Sequence, residues 1–206
     1  NKNIKEFNGK PIITYSIDLA IKSNLFDEIM VSTDSIQVAE IAKKQGAKIP
    51  FMRSDSNSND FATTYDVIDE VLQYYKNKDE IFNYLCCIYP TAALIKKETL
   101  LKGYKIIRKN LNTSVFPVVE FEYPIQKAFT FNNENLKFLK PNLKLSRTQD
   151  FKSFYHDAGQ FYWINTKKIL KSKEILAKDS YGIVVSNMHA HDIDKIEDWK
   201  IAELKF

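Results

Sequence analysis

Along most of the 206-residue chain, stretches with apolar residues at helical spacing alternate with short continuous apolar runs. The first such stretch predicts a helix over residues 11–23. The apolar run at residues 29–33 is typical of a buried parallel strand. Asp34 and Ser35 can cap a second helix, which ends near Gly46. These segments together predict a strand–helix unit.

The same alternation continues as far as residue 119. It predicts strands at residues 49–53, 84–89 and 114–119, and helices at about residues 64–75 and 97–108. Strands that alternate with helices in this way indicate a doubly wound α/β fold with a mostly parallel sheet. Ligands of such sheets bind beyond the carboxyl ends of the strands, so we expect the chemistry in the loops that follow them.

The regular pattern is interrupted between residues 120 and 165, where extended aromatic segments flank a polar stretch rich in Asn, Lys and Ser. We interpret this part as a small inserted lobe. No internal repeat or flexible linker is visible in the sequence, so we expect a single domain over residues 1–206. After the lobe, residues 182–186 predict a further strand and residues 197–204 predict a closing helix.

Composition and charge narrow the class of protein. Apolar residues make up 44% of the chain, which is enough for a core. No apolar run approaches the roughly 18 residues that a membrane helix requires, and the first residues lack the hydrophobic stretch of a signal peptide. We therefore expect a cytoplasmic protein with no membrane partner. The net charge of +4 is spread along the chain, which favours a small anionic substrate over nucleic acid.

The two cysteines, Cys86 and Cys87, are neighbours within an apolar run that predicts a strand. Adjacent side chains on a strand face opposite sides of the sheet, which disfavours a disulfide between them. The pattern therefore favours buried, reduced thiols over a redox pair.

The segment from His189 to Asp194 lies between the last predicted strand and the closing helix. Asp192 and Asp194 are two residues apart, so in extended backbone their carboxylates point the same way, about 6–7 Å apart. Hard cations such as Mg²⁺ suit this pair. His189 and His191 are also a same-side pair and, with an aspartate, are compatible with zinc. A solvated loop is the third interpretation.

Residues suited to contact a nucleotide follow two other predicted strands. The small polar residues that end in Asp34 either bind the hydroxyls of a nucleotide or merely cap the next helix. Arg53 ends the following strand. The backbone from Ala62 to Thr64 opens a helix, where amides can bind a base edge or a phosphate.

The inserted lobe carries candidates of its own. Arg147 is able to bind a sugar carboxylate with two hydrogen bonds, and Gly159 lets the backbone approach a ligand closely. A solvated charged loop is the alternative for this part of the chain.

In this order and spacing, the segments resemble the cytidylyltransferases that activate nonulosonic acids, the CMP-sialic acid synthetase family, over nearly the whole chain. Residues 2–11 look like the end of the family's nucleotide loop and the start of the next helix. The family's strand that ends in Ser-Thr-Asp resembles Ser32-Thr33-Asp34. Its arginine before an Asp-x-Ala-x-Ser/Thr segment resembles Arg53 with residues 60–64. Its paired metal aspartates resemble Asp192 and Asp194. The sequence given begins just after the part that would match the family's opening strand and Arg-x-x-Ser-Lys loop.

Within the family, three segments look most like the pseudaminic acid branch, namely residues 89–92, 147–150 and 157–162. In the sialic acid branch the first of these begins with Gln, and the last usually reads Asn-Gly. Ala93 stands where related sequences commonly have proline, and the sugar-side lysine of the family is shifted to Lys127.

The resemblance implies a Rossmann-like nucleotidyltransferase that transfers CMP from CTP to a nine-carbon acidic sugar, for bacterial surface glycans or flagellin glycosylation. It implies Mg²⁺ on Asp192 and Asp194, with Lys2 as a further catalytic residue. The nucleotide contacts that it implies are Lys2, Asn3, Asp34, Arg53, Ala62 and Thr64, and the sugar contacts are Tyr89, Lys127, Arg147 and Gln160. Family members dimerise through the inserted lobe, so the resemblance also implies a homodimer.

Three other functions stay open at this point. A CMP-sialic or CMP-legionaminic acid synthetase would differ only in the sugar. A zinc-dependent hydrolase would use His189, His191 and an aspartate to activate water, although the chain offers few further histidines to complete such a site. A non-catalytic module that binds a sugar or nucleotide is the last alternative.

Overall fold

The computed structural model describes residues 2–145 and 147–206. Its helices are α1 (Ile13–Ser23), α2 (Ile36–Lys44), α3 (Thr64–Lys76), α4 (Lys97–Lys109), α5 (Thr166–Ser172) and α6 (Ile196–Lys205). Its strands are β1 (Glu6–Phe7), β2 (Lys10–Pro11), β3 (Tyr84–Ile88), β4 (Ser114–Glu120), β5 (Phe129–Asn132), β6 (Asn135–Phe138), β7 (Tyr155–Asp157), β8 (Phe161–Asn165) and β9 (Tyr181–Val185). Across these described ranges, no helix combines the length and the apolar character that crossing a membrane would need.

The central sheet confirms the α/β class, with strand directions that are more mixed than the sequence pattern predicts. Strand β8 lies between β3 and β4 and is antiparallel to both, whereas β9 is parallel to β4. The chain leaves β4 through the lobe and returns directly beside it, and a return without a crossover helix gives antiparallel pairing. Because β7 also pairs with β4, the predicted lobe at residues 120–165 includes two strands that belong to the sheet.

Two of the predicted strands do not form in the structure, where a single parallel β-bridge joins the two segments. Residues 29–33 and 49–53 run side by side, and the bridge joins Met30 to Lys48. The amide of Val31 donates to the Lys48 carbonyl at 3.0 Å. These segments therefore have the predicted direction without forming regular strands.

The core is densest around β8. Phe161, Trp163 and Ile164 are buried almost completely. Trp163 stacks on Phe26 with ring centroids 5.2 Å apart, and its indole nitrogen donates to the Leu100 carbonyl at 3.0 Å. A strand that is buried on both faces reads as a continuous apolar run, which explains why this aromatic segment lacks the alternation of a half-exposed strand.

An aromatic cluster joins the start of the chain to the closing helix. The buried ring of Phe7 makes edge-to-face contacts with Tyr15, Trp199 and Phe206, with centroids 5.4–5.6 Å apart. Such pairs contribute about 0.5–1.5 kcal/mol beyond the area that they bury. The cluster holds the hairpin β1–β2, and with it the neighbouring Lys2, against α6.

The lobe projects from the sheet as the antiparallel hairpin β5–β6. Its two-residue turn, Asn133-Glu134, has positive φ at both positions (44° and 67°), the backbone that matches the twist of a hairpin. The lobe exposes large apolar side chains, namely Tyr123, Phe129, Phe131, Leu136, Leu139 and Leu145.

Both cysteines lie on β3 as unpaired thiols, as predicted. Burial raises the pKa of both groups, that of Cys87 to about 12. The thiols are therefore protonated at neutral pH and unreactive.

Close packing between α4 and β8 gives a stability prediction. A Cβ added at Gly103 would lie 2.6 Å from Cδ1 of Trp163. We expect Gly103→Ala to lower the free energy of unfolding by at least about 1 kcal/mol, because overpacking outweighs the gain of about 1 kcal/mol from better helix propensity. Chemical denaturation measures the change, with Lys102→Ala on the exposed face as a control that should shift stability by less than about 0.5 kcal/mol. Stabilisation by Gly103→Ala would contradict the packing described here.

Candidate active site

The loop between β9 and α6 carries two of the predicted catalytic residues, Asp192 and Asp194, and Lys2 from the start of the chain contacts it. Asp192 and Asp194 are both exposed, and the ammonium of Lys2 lies 3.5 Å from the Asp194 carboxylate. Lys2 also donates to the carbonyl of Ile193. The start of the chain therefore contacts the loop that carries the two predicted metal ligands.

A backbone turn between β7 and β8 fits against Asp192. Gly159 has φ +61°, and a Cβ at this position would lie 3.5 Å from the Asp192 carboxyl carbon. Asp157 shapes the turn by accepting hydrogen bonds from the Gly159 amide at 2.9 Å and the Tyr162 hydroxyl at 2.6 Å. Burial, then the contact with Asp157, raises the pKa of Tyr162, so its phenol remains a donor.

A cavity of about 340 Å³ adjoins this turn. Its lining combines carboxylates, imidazoles, one side-chain amide and small apolar side chains. The lining residues are Val119, His156, Asp157, Ala158, Asn187, Ala190, His191 and Asp192. A second cavity of about 420 Å³ lies beside it, beyond the carboxyl ends of β4 and β9. Both lie at the edge of the sheet where ligands of α/β proteins bind.

The two histidines of the loop have different surroundings. His189 is exposed, whereas Nε2 of His191 is buried 3.6 Å from the Asp198 carboxylate. Residues 2–145 and 147–206 contain no group of three or more His, Cys, Asp or Glu side chains arranged to hold a metal ion. The zinc hydrolase alternative therefore lacks a ligand set. Magnesium needs only one or two carboxylates when substrate phosphates supply further oxygens.

Arg53, predicted to lie on the nucleotide side, contacts Ser32, two residues before Asp34. The guanidinium of Arg53 donates to the Ser32 hydroxyl at 3.0 Å and to the Ser32 carbonyl at 2.5 Å. Glu70 supports this corner by accepting from the Ser54 amide at 3.0 Å. Asp34 is exposed just beyond Ser32.

The remaining predicted nucleotide residues lie in short turns or at the start of a helix. The amide of Ala62, expected to contact a base or phosphate, donates instead to the Asn59 side chain at 3.1 Å. Thr64 begins α3, and its hydroxyl lies 3.2 Å from the hydroxyl of Tyr89. This contact connects a residue predicted to bind the nucleotide with one predicted to bind the sugar. Asn3 lies half-buried in the first turn of the chain.

The predicted sugar residues divide between the sheet and the lobe. Tyr89 bonds through its amide to the Gln160 carbonyl at 2.9 Å. Gln160 is only 3% exposed, and its side chain donates to the His189 carbonyl at 2.6 Å. It was predicted to contact the sugar, but it contacts the loop between β9 and α6 instead. Arg147 pairs with Asp150 in the lobe, and Lys127 lies over the Phe151 ring.

Some residues of this site were not singled out from the sequence. Asn187 lines both cavities, and Asp157 sets the turn that meets Asp192. The Asp-Ala-Gly order was a usable signal for Asp157, because an aspartate two residues before a glycine often forms such a turn. Asn187 had no comparable signal, because its position depends on contacts far along the chain.

Comparisons with known proteins identify the family of the chain. The sequence profile of the cytidylyltransferase family matches residues 1–204. Pseudaminic acid cytidylyltransferase of Campylobacter jejuni subsp. jejuni serotype O:2 is 37% identical over 207 residues, covering 100% of this chain and 89% of that protein. CMP-N,N'-diacetyllegionaminic acid synthase of Legionella pneumophila subsp. pneumophila is 26% identical over 209 residues, covering 98% of this chain and 88% of that protein.

A solved structure shows the same fold. CMP:2-keto-3-deoxy-manno-octonic acid synthetase, complexed with CTP, has a TM-score of 0.69 and 13% sequence identity. The superposition covers 98% of this chain and 90% of that one. With the family match over residues 1–204, these findings show that the chain belongs to the cytidylyltransferase family.

Proposed function

We propose that the protein transfers CMP from CTP to pseudaminic acid, a nine-carbon acidic sugar, and releases pyrophosphate. The observation that carries the proposal is the contact of Lys2 with Asp194, on the same loop whose Asp192 lines a cavity. A cation and two carboxylates at the carboxyl edge of the sheet suit a polyphosphate. The full-length match to a relative named for pseudaminic acid supports this choice of sugar.

The chemistry requires positioning and charge neutralisation more than covalent participation by the protein. The anomeric hydroxyl of the sugar attacks the α-phosphorus of CTP. The bond from that phosphorus to the bridging oxygen breaks, and pyrophosphate leaves. Lys2 contacts the phosphates and stabilises the charge that develops on them.

Asp192 and Asp194 would hold Mg²⁺, and the fit is supported by their oxygen donors and by the bare Gly159 backbone against Asp192. Bound there, the ion would supply neutralisation of phosphate charge. Arg53 and Thr64 would contact the base of CTP. Asn3 and Asp34 would lie near its ribose or phosphates. Ala62 would shape the turn that precedes α3.

The sugar would lie between the sheet and the lobe. Tyr89 offers an aromatic wall, and Arg147 and Lys127 offer cations for the sugar carboxylate. The acylamino groups and methyl terminus of pseudaminic acid suit this mixture of apolar and charged contacts. Gln160 would support the site by holding the His189 carbonyl.

We expect the intact protein to release pyrophosphate from CTP only when Mg²⁺ and a nonulosonic acid are both present. Pseudaminic acid should have a kcat/KM at least about tenfold above sialic or legionaminic acid, a difference of about 1.4 kcal/mol that one mismatched contact can supply. A coupled pyrophosphate assay with the three sugars measures this. Equal use of the three, or preference for legionaminic acid, would contradict the choice of sugar. Nucleotide binding without turnover on any sugar would instead indicate a binding module.

The protein would act in the cytoplasm as a homodimer formed through the lobe. The exposed apolar side chains of hairpin β5–β6 support this assembly, because a contiguous apolar surface is typical of an interface. The partner's lobe would then help to cover the sugar site.

Light scattering of the intact protein should therefore give the mass of two chains. Phe131, which is 78% exposed in the lobe, is expected to lie in the interface, so Phe131→Ser should raise the dimer dissociation constant at least about tenfold. Leu111→Ser is the matched control, because Leu111 is 83% exposed outside the lobe. A monomeric mass for the unaltered protein, or equal effects of the two substitutions, would contradict the proposed interface.

A further inference from the structure

The loop that carries Asp192 and Asp194 is held mainly by side chains. It runs from the end of β9 to the start of α6 and contains only the short turn Asn187–His189 as regular structure. Gln160 bonds to one carbonyl of the loop, and Asp198 accepts from the amides of Asp194 and Lys195 at 3.0 and 2.8 Å. The position of the carboxylates therefore depends on residues that are distant in sequence.

Lys205, at the far end of α6, makes the largest set of these contacts. Its ammonium donates to the Asn187 carbonyl at 2.8 Å, to the Asn187 side-chain oxygen at 2.9 Å and to the Ala190 carbonyl at 3.1 Å. The same ammonium also lies 3.4 Å from Nδ1 of His191. An ammonium has three N–H donors, so the three shorter contacts can each take one of them. The side chain thus ties two points of the loop to the helix.

The surroundings of Lys205 distinguish it from an ordinary surface lysine. Burial lowers the pKa of its ammonium, and the Glu122 carboxylate partly offsets that effect. Glu122 in turn accepts a hydrogen bond from the Asn187 amide nitrogen. Burying a cation is costly unless its hydrogen bonds are satisfied, so the geometry of the acceptors around Lys205 is constrained.

Ala190 is fixed on its other side as well. Its side chain is 4% exposed and packs with Val119 and Ala158. Its carbonyl bonds to Lys205, and Asp192 follows two residues later against the Gly159 turn. Loss of the Lys205 contact would free the backbone just before the carboxylate, and small displacements of a ligating group weaken metal binding strongly.

We propose that Lys205 is a positioning residue for the reaction, which fixes the Asn187–Ala190 backbone so that Asp192 is held ready for the metal. This inference rests on the proposed Mg²⁺ site at Asp192 and Asp194. It assigns to the last turn of the closing helix a role in metal affinity, although the Lys205 ammonium itself touches neither substrate nor ion.

Binding of Mn²⁺ as a paramagnetic probe, titrated by EPR in the presence of CTP and without sugar, tests the proposal. Lys205→Met should weaken Mn²⁺ binding at least about tenfold and lower kcat, with the larger loss at low Mg²⁺. Lys205→Arg should bind Mn²⁺ with intermediate affinity, because a planar guanidinium cannot meet all three acceptors in the same geometry. Lys200→Met, on the exposed surface of the same helix, should bind like the unaltered protein.

Two results together would overturn the positioning role and leave the metal site intact. Lys205→Met would bind Mn²⁺ as tightly as the unaltered protein, and Asp194→Ala would bind it much more weakly. Full affinity in Asp194→Ala would overturn the metal site and, with it, this inference. If Lys205→Met does not fold, full affinity in Lys205→Arg overturns the role of Lys205. Thermal unfolding of each variant separates weak binding from loss of structure.

Discussion

The carboxylates of Asp192 and Asp194 stand on backbone that the sheet does not hold directly, and the rest of the site depends on how that backbone is fixed. Two distant parts of the chain meet there. The aromatic cluster around Phe7 holds the first residues against α6, which places the Lys2 ammonium 3.5 Å from Asp194. The far end of α6 supplies Lys205 to the other end of the loop. The closing helix therefore contacts both ends of the loop, the Asp194 end through the aromatic cluster and the Asn187–Ala190 end through Lys205.

The site also depends on the interruption of strand pairing between β7 and β8. Both strands lie along the same side of β4, and the residues between them turn away from the ladder around Gly159. A side chain at this position would be strained by its positive φ and would approach Asp192. The break thus interrupts the sheet and opens a cavity at the position where the carboxylate stands.

Apolar spacing within a helix is local, so the sequence predicted α1, α2, α3, α4 and α6, whereas the short helix α5 was not predicted. Arg53 and Ser32 were expected near the ends of two predicted strands, but the hydrogen bonds between them were not predicted. By contrast, the run around Trp163 was interpreted as part of the lobe, since a strand buried on both faces shows no alternation. Gln160 was expected to contact the sugar, but its side chain is buried against the loop. Such contacts join residues that are far apart in sequence, so no local pattern reports them.

A double-mutant cycle between Lys2 and Asp194 tests most directly whether the two side chains form one phosphate-handling site. The kcat/KM for pseudaminic acid would be measured at saturating CTP for Lys2→Met, Asp194→Ala and the double variant. Glu197→Ala, in the first turn of α6, is an exposed control. If both groups act on the same phosphates, the double variant should lose little more than the more damaging single substitution. Losses that multiply would show that Lys2 and Asp194 act independently, contrary to the site described here.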